Sequence, residues 1–125
     1  MNAEPPTFEM EGLRIDVTYS QDTATLKWSG VSEIQDPENT IGPFLKGLLP
    51  SFTGKNVVLD FRHMEYWNSA TLQPIMQLIK ALGAEHISTE LLYNNDVEWQ
   101  RITFRCIKAI IRTFDNISFV STAAK

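Results

Sequence analysis

Residues 56–82, in the middle of the chain, combine the two hydrophobic patterns that distinguish strands from helices. Val57 to Phe61 is a short run rich in apolar and β-branched residues, which is typical of a strand buried on both faces. From Leu72 onward apolar residues recur at helical spacing, at positions 72, 75, 76, 79 and 82. The pattern predicts a buried strand, a connector over residues 62–67 and a helix over residues 70–82.

Two earlier stretches alternate between apolar and polar residues. Residues 13–19 and residues 24–28 both have the period of two that marks a half-buried strand. A short polar turn separates them, so the sequence predicts an antiparallel hairpin that ends at Gly30. We expect Trp28 to pack in the core; the alternative is a ligand-stacking role. Residues 1–6 contain Pro5-Pro6 and are predicted to form a flexible tail.

The remaining segments alternate between helix and strand. Asp36-Pro37-Glu38 is a helix-start signal, and the apolar residues after it predict a helix over residues 41–49. A strand over residues 86–93, a helix over residues 97–114 capped by Asn94, Asn95 or Asp96, and a last strand over residues 117–120 follow. The predicted apolar face of that last helix consists of Ile102, Phe104, Cys106, Ile107, Ile110, Ile111 and Phe114.

This order, β-β-α-β-α-β-α-β, predicts an α/β fold. Strands separated by helices favour parallel pairing through right-handed crossovers, so we expect a mixed central sheet flanked by helices. The length of 125 residues fits one domain, residues 1–125, with room for a substantial core.

Composition excludes several classes of function. The net charge is −4 and the pI about 5.1, so the overall field repels nucleic acid and anionic membranes. The single cysteine, Cys106, rules out an internal disulfide and fits a reducing compartment. The sequence has no signal-peptide pattern and no apolar run approaching the ~18–20 residues of a membrane span. We therefore expect a cytoplasmic protein that does not insert into membranes.

The start of the predicted helix 70–82 is the most informative place for chemistry. Asn68 and Ser69 are both good N-caps, because their side-chain oxygens can accept orphan backbone N–H groups. The helix dipole and the free N–H groups favour negative charge at such a site. Ser69, and after it Thr71, are therefore candidate phosphorylation sites. Ser69 could equally be a plain N-cap.

This stretch resembles the STAS domain, the fold of anti-sigma-factor antagonists and of the cytoplasmic tails of sulphate transporters. In that family a strand ending in a hydrophobic residue and Asp is followed by Asp-Ser-Ser-Gly-Leu at a helix start. The matching segments here are Val58-Leu59-Asp60 and Asn68-Ser69-Ala70-Thr71-Leu72. Ala70 stands where the family has its usual phosphoacceptor serine.

The resemblance implies a regulatory module without enzymatic activity. It would dock an anti-sigma factor, or a switch kinase or phosphatase, through the Ser69 helix start and helix 70–82, with phosphorylation weakening the contact. Candidate partner-binding residues are Asp60, Trp67, Asn68, Ser69, Gln73 and Gln77. Asp60 is expected at the C-terminal edge of the sheet beside the Ser69 loop. The uncharged residues Gln73, Pro74 and Gln77 are expected on the exposed side of the helix.

Two further features leave alternatives open. Trp67 could anchor a partner or pack beneath the loop. On the last helix a basic patch recurs along one stripe, and it is either a solvated side of the helix or a contact for an acidic partner or phosphate: Arg101, Arg105, Lys108 and Arg112.

Signatures of enzymes are sparse in the sequence. It contains no nucleophile-elbow, P-loop or dinucleotide motif, and no metal-ligand spacing joins His63, His86 and Cys106. We therefore expect no catalytic residues, metal or cofactor. A hydrolase that uses Ser69 and His63 is a remote alternative. A second is a STAS-type domain that binds a small ligand or nucleotide, although no glycine-rich loop is present to form its pocket.

Overall fold

The computed structural model describes residues 6–122, which form one six-stranded sheet and three α-helices. The strands are β1 Thr7–Met10, β2 Leu13–Tyr19, β3 Thr23–Ser32, β4 Asn56–Trp67, β5 Thr89–Asn94 and β6 Ile117–Thr122. The helices are α1 Ile41–Leu48, α2 Ser69–Ala84 and α3 Glu98–Ile111, and short 3₁₀ helices at Pro37–Asn39 and Leu49–Phe52 flank α1. The predicted mixed α/β fold is confirmed.

The sheet follows chain order from β1 to β6. The first three strands pair antiparallel, and β3, β4, β5 and β6 pair parallel. The three connections between the parallel strands step in the same direction across the sheet, and because such connections are almost always right-handed, the helices should all cover one of its faces. One core cluster accordingly joins Leu45 of α1, Ile75 of α2 and Phe104 of α3 to Leu59 of β4.

β1 is a strand that the prediction lacked. It pairs with β2 through a tight turn in which Glu11 and Gly12 both have positive φ. β3 also continues past Gly30 to Ser32, whereas the hairpin was predicted to end at Gly30. Gly30 has a φ of 91° and lies against the Gly12 carbonyl, where a Cβ atom would collide with it. The glycine therefore permits a close approach between strands instead of ending one.

β4 is longer than the predicted strand. Residues 62–67, predicted to be a connector, are its second half. They pair with residues 29–32 of β3, and the register shifts twice along this part of the pairing. Within β4, only Val57 to Asp60 pair with β5. The two strands diverge beyond Asp60, and the side chain of Gln100 occupies the gap: its Nε2 donates to the carbonyls of Phe61 and Met64 at 3.0 and 2.9 Å.

Gln100 also determines which side of α3 faces the core. Its Oε1 accepts a hydrogen bond from the Asn94 backbone N–H at 2.8 Å, so a buried polar residue ties β4, β5 and α3 together. The buried side of α3 consists of Gln100, Phe104, Ile107 and Ile111. The prediction placed Ile102, Cys106 and Ile110 on the core side, and this is wrong because all three are exposed.

The ends of the helices show two smaller differences. None of the three predicted capping residues of α3 caps it: its N-cap is Val97, and Asn94 Oδ1 accepts a hydrogen bond from Asp96 N at 2.9 Å. Gly83 lies within α2, where a Cβ atom would come 2.6 Å from the ring of Phe114. Its small size lets the segment after α3 pack on α2.

Candidate functional site

Asn68 fixes the start of α2. Its Oδ1 accepts hydrogen bonds from the Thr71 backbone N–H at 3.0 Å and from the Thr71 hydroxyl at 2.6 Å. Its Nδ2 donates to the Ile34 carbonyl at 3.2 Å, and its backbone N–H donates to the Ser32 carbonyl at 2.9 Å. The N-cap of α2 is therefore Asn68, and the cap is tied to the end of β3.

Thr71 lies inside this network. Its side chain is 0% exposed, and its hydroxyl also hydrogen-bonds Ser32 Oγ at 2.7 Å. A kinase could reach this hydroxyl only if the start of α2 opened. Ser32 and Ile34 were not predicted to belong to the site, because nothing local in the sequence shows that β3 would end beside α2.

Ser69 is the first residue of α2 and is exposed to solvent. It follows the cap residue, so the stability of the helix start comes from Asn68. Gln73 and Gln77 are also exposed, as predicted, and lie on the same side of α2. Pro74, predicted to lie between them on the exposed side, is instead buried.

Trp67 is not available to a partner. It is 5% exposed, and its ring packs against those of Phe61, Trp99 and Phe104 at centroid distances of 5.3, 5.1 and 5.9 Å. The partner-anchor interpretation of Trp67 is therefore wrong. Its neighbour Tyr66 is 46% exposed.

Asp60 lies within β4 and not at its C-terminal end. Leu59 and Phe61 on either side of it are in the core, so Asp60 points to the face of the sheet without helices. Seven strand residues, 61–67, separate it from Asn68. The predicted position beside Ser69 is wrong, because the connector expected between them is strand.

The Asp60 carboxylate is nonetheless buried, and a bidentate contact to Arg62 neutralises it. Arg62 Nε and Nη2 donate to Oδ1 and Oδ2 at 2.9 and 2.8 Å, and the Arg62 backbone N–H donates to Oδ1 at 3.1 Å. Burial raises the pKa of Asp60, but these hydrogen bonds and the positive charge of Arg62 lower it further than burial raises it. The net pKa lies below its usual value, so the pair is charged at neutral pH.

The basic patch occupies one side of α3, as the spacing predicted. Arg105, Lys108 and Arg112 are exposed, and Arg101 is partly exposed and donates to the Asn95 carbonyl at 3.1 Å. Lys108 Nζ lies 5.8 Å from the centre of the Phe119 ring on β6. At Lys108 the patch therefore borders β6 at the edge of the sheet, and its residues belong to α3, whereas Ser69 belongs to α2.

Three alternative functions were considered for this chain: metal binding, hydrolysis by Ser69 and His63, and the binding of a small ligand. Within residues 6–122 no group of three or more His, Cys, Asp or Glu side chains could hold a metal ion. His63 is exposed on β4 and pairs in register with Ser29, and no hydrogen bond joins it to Ser69 in the described part of the chain. An open groove of about 250 Å³ lies between α1 and α2 and includes the buried Pro74 and the apolar residues Leu45, Leu49 and Leu78.

Comparisons with known proteins identify the fold alone. No protein-family model matches the chain, and no curated protein matches it. Among solved structures it is similar to an uncharacterized protein from the DUF3478 family with a SpoIIAA-like fold, from Shewanella loihica PV-4. The TM-score is 0.54 at 17% sequence identity, over 90% of this chain and 88% of the other. The chain thus has a SpoIIAA-like, that is STAS-like, α/β fold.

No helix in residues 6–122 is long and apolar enough to span a membrane.

Proposed function

We propose that this protein is a non-enzymatic regulatory module that docks another protein through the start of α2. The contact surface consists of Ser69 and the exposed side of α2 at Gln73 and Gln77. The observation that carries the proposal is the exposed Ser69 on a helix start held by the hydrogen bonds of Asn68 and Thr71.

Rigidity supports this proposal. The network of Asn68, Thr71 and Ser32 fixes the backbone on which Ser69 stands before any partner arrives. A surface ordered in advance loses less conformational entropy on binding. Gln73 and Gln77 carry no charge, so covering them avoids the cost of desolvating an ion.

Phosphorylation of Ser69 would regulate such a contact. A phosphate adds a charge of about −2 and bulk at the docked surface, and the positive end of the α2 dipole lets the free domain accept it. Thr71 is not part of this proposal, because its hydroxyl is buried and hydrogen-bonded. By the STAS resemblance, the partner would be an anti-sigma factor or a switch kinase or phosphatase.

The groove between α1 and α2 supports a second candidate function, the binding of a small apolar molecule. Leu45, Leu49 and Leu78 supply apolar surface, and Glu38 and Lys46 lie at the groove as charged groups. Substituting Ala81, which also lines the groove, by Trp would fill it. Loss of ligand binding with unchanged protein docking would assign the groove to a ligand.

Photo-crosslinking tests the docking proposal. A benzophenone amino acid is placed at Gln73, at Gln77, or at the exposed Glu90 of β5 as the control on the open sheet face. We expect Gln73 and Gln77 to capture the same protein from the source cell, and excess unlabelled wild-type protein to compete with that capture. Equal capture from Glu90, or none from the two glutamines, would contradict the proposal.

A further inference from the structure

The outer side of α3 exposes apolar side chains that its amphipathic pattern assigned to the core. Ile102 is 48% exposed, Ile110 is 58% exposed, and Cys106 between them is exposed as well. The three residues follow one another at four-residue spacing, so they form one stripe along the helix surface. We call Ile102, Cys106 and Ile110 the α3 stripe. Exposed apolar residues grouped in this way mark an interaction surface.

Aromatic residues extend the α3 stripe at its N-terminal end. Trp99 is partly exposed and precedes Ile102 by three residues, one turn of the helix. The ring of the exposed Tyr66 lies 6.2 Å from that of Trp99. Tryptophan and tyrosine are the residues most enriched among those that dominate binding energy at protein interfaces.

Positive charge borders the α3 stripe on one side. Arg105 lies three residues from Ile102, and Lys108 and Arg112 continue the same side of the helix. In residues 6–122 no carboxylate forms an ion pair with any of these three side chains. Residues 98–112 carry four basic residues and one acidic residue, a net charge of +3, so the rest of the −4 chain carries −7. The basic side of α3 is thus a local feature of an acidic protein.

We propose that the α3 stripe and its basic border bind an amphipathic helix of a partner protein whose polar side is acidic. The stripe extends over nine residues, 102–110, a rise of about 12 Å along the helix axis, and lies on the surface of a single helix. Side chains at four-residue spacing form a ridge that fits the groove of a second helix. Acidic residues beside the apolar positions of that helix would face Arg105 and Arg112.

This surface lies on a different helix from the proposed contact at Ser69: the α3 stripe and its border belong to α3, whereas Ser69, Gln73 and Gln77 belong to α2. The two proposals rest on different residues, and each has its own test, alkylation of Cys106 here and crosslinking from Gln73 and Gln77 there. A nucleic acid or an anionic membrane could use the same cations, but an apolar stripe of this width fits a helix better than a phosphate backbone.

The single cysteine of the chain provides the test, because Cys106 lies at the centre of the α3 stripe. The rate at which N-ethylmaleimide alkylates Cys106 is measured with a synthetic 18-residue amphipathic peptide that carries Leu on one side and Glu on the other. Two control peptides have Lys in place of Glu, or the same composition in scrambled order. We expect the acidic amphipathic peptide to slow alkylation at least fivefold, with weaker protection at higher salt.

Variants of the protein separate the contribution of the apolar α3 stripe to peptide binding from the contribution of its basic border. Ile102→Gln and Ile110→Gln should each weaken peptide binding about tenfold, because each removes apolar area from the contact. Arg105→Gln with Arg112→Gln should weaken it about three- to tenfold at low salt and reduce the salt dependence. Lys46→Gln on α1 is the control for charge and should leave the affinity unchanged.

Four outcomes would overturn the proposal. One is an absence of protection by the acidic peptide at millimolar concentration, and another is equal protection by the Lys peptide. A third is protection only by duplex DNA or by vesicles of anionic phospholipid, which would assign the surface to those ligands. The last is an alkylation rate that falls as the protein itself is concentrated, which would assign the α3 stripe to a second copy of this chain.

Discussion

Asn68 and Ser69 are neighbours with different tasks. Asn68 makes the side-chain hydrogen bonds that hold the helix start, whereas Ser69 occupies the exposed first position of α2. The sequence pattern identified both as suitable caps, because both carry a short side chain with an acceptor oxygen. Only the three-dimensional position of Ser32 and Ile34 decides between them.

This division predicts different stabilities for two alanine variants. Asn68→Ala should lower the free energy of unfolding by about 1–2 kcal/mol, because Thr71 and Ile34 lose their hydrogen-bond partner. Ser69→Ala should change it by less than about 0.5 kcal/mol, as is usual at exposed positions. Urea denaturation monitored by tryptophan fluorescence measures both. A larger loss from Ser69→Ala than from Asn68→Ala would show that Ser69 is the cap.

Asp60 and Asp16 provide a matched pair for electrostatics. Each carboxylate bonds an arginine two residues away on the same strand, but Asp60 is buried and Asp16 lies in an exposed pair. Asp60→Asn should cost about 1–3 kcal/mol of unfolding free energy, because Arg62 would lose its carboxylate. Asp16→Asn should change the stability little.

The pH dependence of the Asp60 contribution has a definite sign. Because folding lowers the pKa of Asp60, its stabilisation is fully present above the unfolded value, about 3.9, and is lost as the pH falls through the folded value. The stability gap between wild type and Asp60→Asn should therefore be constant from pH 5 to 7 and close at lower pH. Denaturation curves across this range measure it. A gap that widens on acidification would contradict this account.

At the scale of elements, α3 shows how an amphipathic pattern can mislead. The predicted apolar face has seven residues from Ile102 to Phe114, more than one side of a helix can bury, so the pattern alone leaves the orientation undecided. The buried polar Gln100 fixes it by bonding the three backbone groups of Asn94, Phe61 and Met64. No local signal in the sequence indicates that a glutamine would be buried here.

Gln100 is consequently predicted to be a major contributor to stability. Gln100→Met keeps the length of the side chain but leaves three backbone groups, two of them in buried hydrogen bonds, without this partner, which should cost about 2–4 kcal/mol of unfolding free energy. Gln77→Met, on the exposed side of α2, is the matched control and should cost less than about 0.5 kcal/mol. Equal stabilities of the two variants would show that the hydrogen bonds of Gln100 contribute little to the free energy of unfolding.

At the scale of the molecule, the order of strands and helices was enough to predict the mixed α/β fold. Period-two alternation in β2 and β3 and helical spacing in α2 are strong local signals, because each follows from burying one side of a regular element. The lengths of β3 and β4 were not predictable in the same way. Their extension depends on irregular pairing between two distant segments and on the close approach of Gly12 and Gly30.

In the candidate site too, some positions could be predicted from the sequence and others could not. Gln73 and Gln77 are exposed on α2, as predicted, whereas Pro74, predicted to lie beside them, is buried. Asp60 was misplaced because its prediction depended on a connector that is in fact strand, whereas Trp67 is packed in the core, in agreement with one of its two interpretations. The α3 stripe could not be recognised before the orientation of α3 was known.

Binding by charge variants of Ser69 tests the central claim most directly. The partner captured by crosslinking is titrated calorimetrically with wild type, Ser69→Ala, Ser69→Asp and Ser88→Asp, the last at an exposed serine at the opposite end of the sheet. Ser69→Ala and Ser88→Asp should bind within about threefold of wild type, because neither adds charge at the docked surface. Ser69→Asp should bind at least tenfold more weakly while remaining folded, through repulsion and crowding. Equal affinities of Ser69→Asp and wild type would contradict the claim that Ser69 lies in the docked surface.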